Sequence, residues 1–140
     1  MENKYITIDG FESLTKQQMF DISAKHILGT GKCSLNSAGT CSYAGSGCAA
    51  APFIKPEYRD KADNYGTSPA GTSWHDLVEG GYAPAHEQKF VTDLQLSHDS
   101  HAAQHAPQFL DNYRYDMKFL GKEHGLDISV LGPFDEQQKV

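Results

Sequence analysis

The stretch "QFLDNYRYDMKFLGKEHG", residues 108–125, carries the clearest fold signal in the chain. Phe109, Tyr113, Met117 and Leu120 recur at helical spacing, so one face of a long α-helix is apolar and the other polar. Gly125 supplies its stop, and Pro107 breaks it from what precedes. Upstream, "PAHEQKFVTDLQLSHDSHAA" (84–103) reads as another long helix, opened by Pro84. "WHDLVE" (74–79) is a short one, capped by Ser73 and Asp76 and ended by Gly80-Gly81. "KPEYRDKADNYG" (55–66) has Pro56 in its first turn and Gly66 past its end. In "LTKQQMFDISAKHILGTG" (14–31), Thr15 and Gln18 form a capping box and Gly29 or Gly31 ends the helix. Its apolar face holds Met19, Ile22 and His26 along one edge, with Phe20, Ala24 and Ile27 beside them.

Two segments read as β-structure. "KYITIDGF" (4–11) alternates apolar and polar residues and turns at Asp9-Gly10, the pattern of a short strand. "TCSYAGSGCAAAPF" (40–53) reads as a glycine-rich hairpin whose four-residue loop, 44–47, lies between Tyr43 and Cys48. "LDISVLG" (126–132) is a last turn and "PFDEQQKV" (133–140) a frayed tail. The expected fold is therefore α+β and mainly α: about five helices with one small β-hairpin. It forms a single domain over 1–132, with 133–140 a flexible tail.

Composition narrows the function. The 140 residues carry a net charge of −6, and their twelve Lys and Arg residues are scattered. A nucleic-acid partner is disfavoured, because affinity for a phosphate backbone comes from clustered positive charge. Mimicry of DNA is disfavoured too, since the carboxylates are interleaved with Lys and His. With a mean hydropathy of −0.54, no apolar run approaches the ~18 residues of a membrane span. "MENKYITIDGFES" lacks the pattern of an export signal. Three cysteines, an odd number, fit a reducing compartment, so the expected location is the cytosol.

The chemistry-bearing residues are sulfur and imidazole. On the expected hairpin Cys41 and Cys48 share a face but sit on a diagonal, ~7–8 Å apart. A disulfide wants Cα atoms within about 4.4–6.8 Å, which disfavours a bridge. Zinc would take two thiolates from this face, although the Cys41-to-Cys48 spacing is wider than that of most zinc knuckles, and Cys33 is a further possible ligand. Burial as small hydrophobes is the commonest fate of free cysteine and stands first. "SHDSHAAQH" puts His98, His101 and His105 on one helix face, where an incidental surface cluster outweighs a metal site. His98 also continues the stripe of Val91 and Leu94 toward the core edge, and Asp99 bonds elsewhere, to a loop amide. A catalytic alternative makes Cys48 a nucleophile activated by His98, with "AAAPF" letting a substrate approach, but no oxyanion-forming glycine follows Cys48.

The residues Phe20, His26, Cys41, Tyr43, Gly47, Cys48, Ala49, Tyr58, Leu94, Gln95, His98, Asp99 and Leu126, in that order, resemble a pattern of small accessory proteins of tailed phages and prophages. Two positions depart from it: Ala44 stands where the family usually has Arg, and Ala51 where it has Gly. The resemblance implies a phage origin and a host bacterial cytosol, and it weights His26, Cys41, Cys48 and His98 over His101 and His105. Those four make a coherent Cys2His2 zinc set. They are equally coherent as a packing node that, with Tyr43 and Asp99, ties hairpin to helices. No other cofactor is implied.

The functional expectation is binding rather than catalysis. The partner is a host protein or a small host-derived ligand, for instance in a defence pathway, and neither nucleic acid nor membrane. Tyr65, Trp74, Tyr82 and Tyr115 lie outside the apolar stripes and are the expected contact surface, because Tyr and Trp dominate binding hot spots. A cysteine-dependent hydrolase or transferase using Cys48 and His98, and the structural zinc domain, are the alternatives.

Overall fold

The computed structural model describes residues 5–30, 49–62, 74–99 and 106–132. Four helices make up most of it: α1 (Lys16–Thr30), α2 (Trp74–Glu79), α3 (Gln88–Asp99) and α4 (Ala106–Glu123). Single 3-10 turns at Phe11–Ser13, Ala51–Phe53, Pro56–Tyr58 and Ser129–Leu131, and one α-turn at Arg59–Ala62, join and flank them. α3 packs against α2, α4 and α1, while α1 also meets α4 and the 129–131 turn.

Local chemistry sets the ends. The Thr15 amide donates to Gln18 Oε1 at 2.9 Å while Gln18 N–H donates to Thr15 Oγ1 at 3.1 Å, a reciprocal capping box that starts α1. α4 ends at Gly125 (φ +69°): Leu126 N–H reaches back to Gly121 O at 2.8 Å and Gly125 N–H to Lys122 O at 3.2 Å. α2 ends the same way at Gly81 (φ +83°), with Tyr82 N–H on Leu77 O and Gly81 N–H on Val78 O. Both are Schellman stops, and both need the left-handed backbone that glycine adopts without strain. Pro107 occupies the first turn of α4, where its missing N–H costs nothing. α3 begins at Gln88 rather than Pro84, because Glu87 takes φ +51° and interrupts the helical backbone.

The fold is helical, which corrects the expected α+β class. Among the described residues there is no strand, only a single antiparallel bridge between Thr7 and Ile54. The strand expected at Tyr5–Ile8 does not grow because its donors go to two neighbours: Ile8 N–H bonds Phe53 O, whereas Ile6 N–H bonds Tyr82 O. The facing segment turns back on itself as well: Phe53 N–H bonds Ala50 O, and so is not given to Ile8 O. The far arm of the expected hairpin, 49–53, is a turn followed by a 3-10 turn, and 31–48 lie outside the described residues. The helix expected at 55–66 is a 3-10 turn and one α-turn as far as Ala62. Among the described residues four helices therefore stand where about five were expected.

All four helices feed one core. Met19, Phe20, Ala24 and Ile27 come from α1, Trp74 and Leu77 from α2, Phe90, Val91 and Leu94 from α3, and Phe109, Tyr113, Met117 and Leu120 from α4. Each large apolar side chain sealed in this way contributes ~1.5–3 kcal/mol. Phe11 and Phe53 bring the N-terminal segment onto Trp74, with ring centroids 5.6 Å (Phe11–Trp74) and 6.3 Å (Phe53–Trp74) apart. Gly121 allows the closest approach: a Cβ there would lie 2.5 Å from Ile128 Cγ2 and 3.1 Å from the Phe20 ring. Among the described residues no helix is long and apolar enough to cross a membrane.

Candidate functional site

The four aromatic residues expected to form a contact surface have different fates. Trp74 is fully buried. Its backbone N–H donates to Gln95 Oε1 at 2.9 Å, so a side chain from α3 caps the first turn of α2. Among the described residues its buried indole Nε1 has no hydrogen-bond partner. Tyr82 is half-buried, with its ring against Gly80, where a Cβ would meet it at 2.9 Å. Tyr115 is half-buried on the outer side of α4, with Lys118 Nζ 5.8 Å above its ring. Tyr65 lies outside the described residues.

The sulfur and imidazole set is not brought together by the described residues. Cys33, Cys41, Tyr43, Cys48, His101 and His105 lie outside them. His98 and Asp99 contribute backbone to the last turn of α3, and their side chains are outside the described part. His26 is half-buried on α1. Among the described residues, no three His, Cys, Asp or Glu side chains are grouped to hold a metal ion. The run after Cys48 has a structural role: Ala49, Ala50 and Ala51 are fully buried, and Ser23 Oγ of α1 donates to Ala49 O at 2.7 Å. Small side chains there let α1 approach the backbone closely.

Next to that contact lies Tyr113, also sealed. Burial pushes its phenol well above the ordinary tyrosine value, offset a little by the neighbouring Ser23 hydroxyl. Ser23 Oγ donates to Ala49 O, and among the described residues Tyr113 Oη has no hydrogen-bond partner.

The open surface lies between α3 and α4. Phe119 is 79% exposed and Leu96 54%, which is unusual for large apolar side chains on neighbouring helices. They stand at the walls of a groove of about 480 Å³ that also takes in Asp93, Asp116, Leu120 and Glu123. Lys89 Nζ sits 3.4 Å from Asp93 Oδ2, which leaves this side of the groove acidic. On the other side of Phe119 a smaller cleft of about 200 Å³ is lined by Tyr115, Lys118 and Lys122. One aromatic ridge therefore separates an acidic flank from a basic flank. The sequence signal for this was the pair Tyr115 and Phe119, one turn apart and off the buried stripe.

Compared with protein-family models, with curated proteins and with solved structures, the chain matches none.

Proposed function

We propose that this chain acts by binding a protein, and that the Tyr115–Phe119 ridge with Leu96 is its contact face. The exposure of Phe119 carries the reading: a phenylalanine left 79% in water forgoes much of the burial energy of its ring, and contact with a partner recovers it. The groove beside it gives an incoming apolar side chain a place to sit, with Leu96 and Leu120 as its apolar walls. The resemblance of the ordered residues to phage and prophage accessory proteins is what supports a protein of an infected bacterium as the partner.

The test uses the full chain and a Phe119→Ser variant as parallel baits in bacterial host lysate, with circular dichroism to confirm that both are folded. The reading expects a host protein retained in stoichiometric amount by the wild type and reduced at least ~30-fold by the variant, the scale of a ~2 kcal/mol hot spot. Equal retention by both baits, or none by the wild type, overturns it.

A further inference from the structure

We infer that the backbone edge at Thr7 is a docking site for an extended segment of another protein, one that carries a basic side chain. The site is separate from the α4 ridge and does not depend on how that face is read.

The bridge between Thr7 and Ile54 fixes which way the backbone points. Lys55 N–H donates to Ile6 O and Ile8 N–H to Phe53 O, both at 2.9 Å, so the two bonds flank the pair rather than join it. In an antiparallel pair of that kind the N–H and C=O of the central residue are directed away from the facing segment. Ile6 N–H is also taken, by Tyr82 O at 2.8 Å. One edge of this short extended stretch is therefore spent on the protein itself. On the other edge, among the described residues, the N–H and C=O of Thr7 have no hydrogen-bond partner. Thr7 is only 7% exposed because its side chain shares a face of the pair with the fully buried Ile54.

Thr7 lines a cleft of about 260 Å³ that follows the chain from Tyr5 to Ser13 and takes in Lys55. Those two backbone groups select the occupant. An extended chain offers N–H and C=O together on alternate residues, so a single residue opposite Thr7 makes both bonds. A helix spends the same groups internally. The match is strand addition to a free edge, in which main-chain bonds give the affinity and side chains the choice of partner. Charge supplies that choice. Asp9 and Glu12 bring two carboxylates to the cleft and Lys55 one ammonium, 3.8 Å from Asp9 Oδ1. Among the described residues Glu12 makes no ion pair, so a Lys or Arg on the incoming segment is favoured over an acid. Gly10 (φ +81°) turns the chain and keeps the edge short, so a short peptide binds weakly.

Amide-resolved NMR of the full, isotope-labelled chain tests this with the blocked peptide acetyl-Val-Thr-Lys-Thr-Val-amide. In the free chain the Thr7 amide exchanges with solvent at least ~10-fold faster than the Ile8 amide. The peptide shifts the Thr7 resonance with a dissociation constant of roughly 1–10 mM. A Glu-centred version binds at least ~3-fold more weakly, and Glu12→Lys reverses that preference while leaving amides outside the cleft in place. The same peptide N-methylated at every residue leaves Thr7 unmoved. A Thr7 amide as protected as that of Ile8, no Thr7 shift at ~20 mM peptide, or equal binding by the N-methylated or the Glu-centred peptide overturns the inference. A Thr7 shift that follows protein concentration alone identifies a second copy as the occupant and overturns it too. Phe119→Ser binds the peptide as the wild type does, so failure at this edge and failure at the ridge are told apart.

Discussion

Two aromatic regions of this molecule look alike in composition and differ in every physical respect. Around Trp74, the rings of Phe11 and Phe53 close at 5.6–6.3 Å, and all three side chains are at most 1% exposed. On α4, Tyr115 and Phe119 are flanked by lysines and carboxylates, and Phe119 stands out in solvent. Hot-spot preference favours Trp over Phe, yet here Trp is sealed and Phe is presented. Which residues face outward is decided by the helix surface on which they fall. Residue type only sets how much burial is worth.

The comparison breaks most readily at Trp74. Trp74→Ala removes the largest sealed side chain and should cost ~3–5 kcal/mol, measured by urea unfolding. A loss below ~1 kcal/mol would show that the cluster is not the core. Next comes Gly121→Ala, whose new methyl lies 2.5 Å from Ile128 Cγ2. It should cost about 1–3 kcal/mol and lower the thermal midpoint. Gln95→Ala uncaps α2 and strands the Trp74 amide, for ~1–2 kcal/mol in the same assay. Phe119→Ser should change stability by less than ~0.5 kcal/mol while abolishing partner retention, the reverse of Trp74→Ala. The smallest effect is electrostatic. The Ser129 hydroxyl and then its backbone N–H donate to Asp127 Oδ1 and hold that carboxyl below the usual carboxylate range. Because the folded pKa is the lower one, its contribution is present above the unfolded pKa and fades as pH falls through the folded value. Ser129→Ala should move the Asp127 titration upward by NMR; an unmoved titration would show that the hydroxyl is idle.

Much of the helical frame was legible before any coordinates. The stripe Phe109, Tyr113, Met117, Leu120 is buried throughout, the Thr15–Gln18 box forms as read, and Gly81 and Gly125 end their helices. These signals are local, set within one or two turns of backbone. The strand at "KYITIDGF" failed because its alternation, Ile6 and Ile8 against Thr7, says nothing about where the amides go, and they go to two different segments. The site was less legible. Trp74 and Leu77 share the inner side of a two-turn helix too short for its stripe to be read. Phe119 was recoverable, since it and Tyr115 fall opposite the stripe of a long helix. The Cys41, Cys48 and His98 reading concerns side chains outside the described residues.

Hydroxyl-radical footprinting of the intact, dilute chain compares the two regions in one sample. Phe119 and Leu96 should be oxidised rapidly, while Trp74 and Tyr113 stay protected until the chain is unfolded. Native Trp74 oxidised as fast as its unfolded form, or Phe119 as protected as Trp74, would contradict the division between a sealed aromatic core and an aromatic ridge held open for a partner.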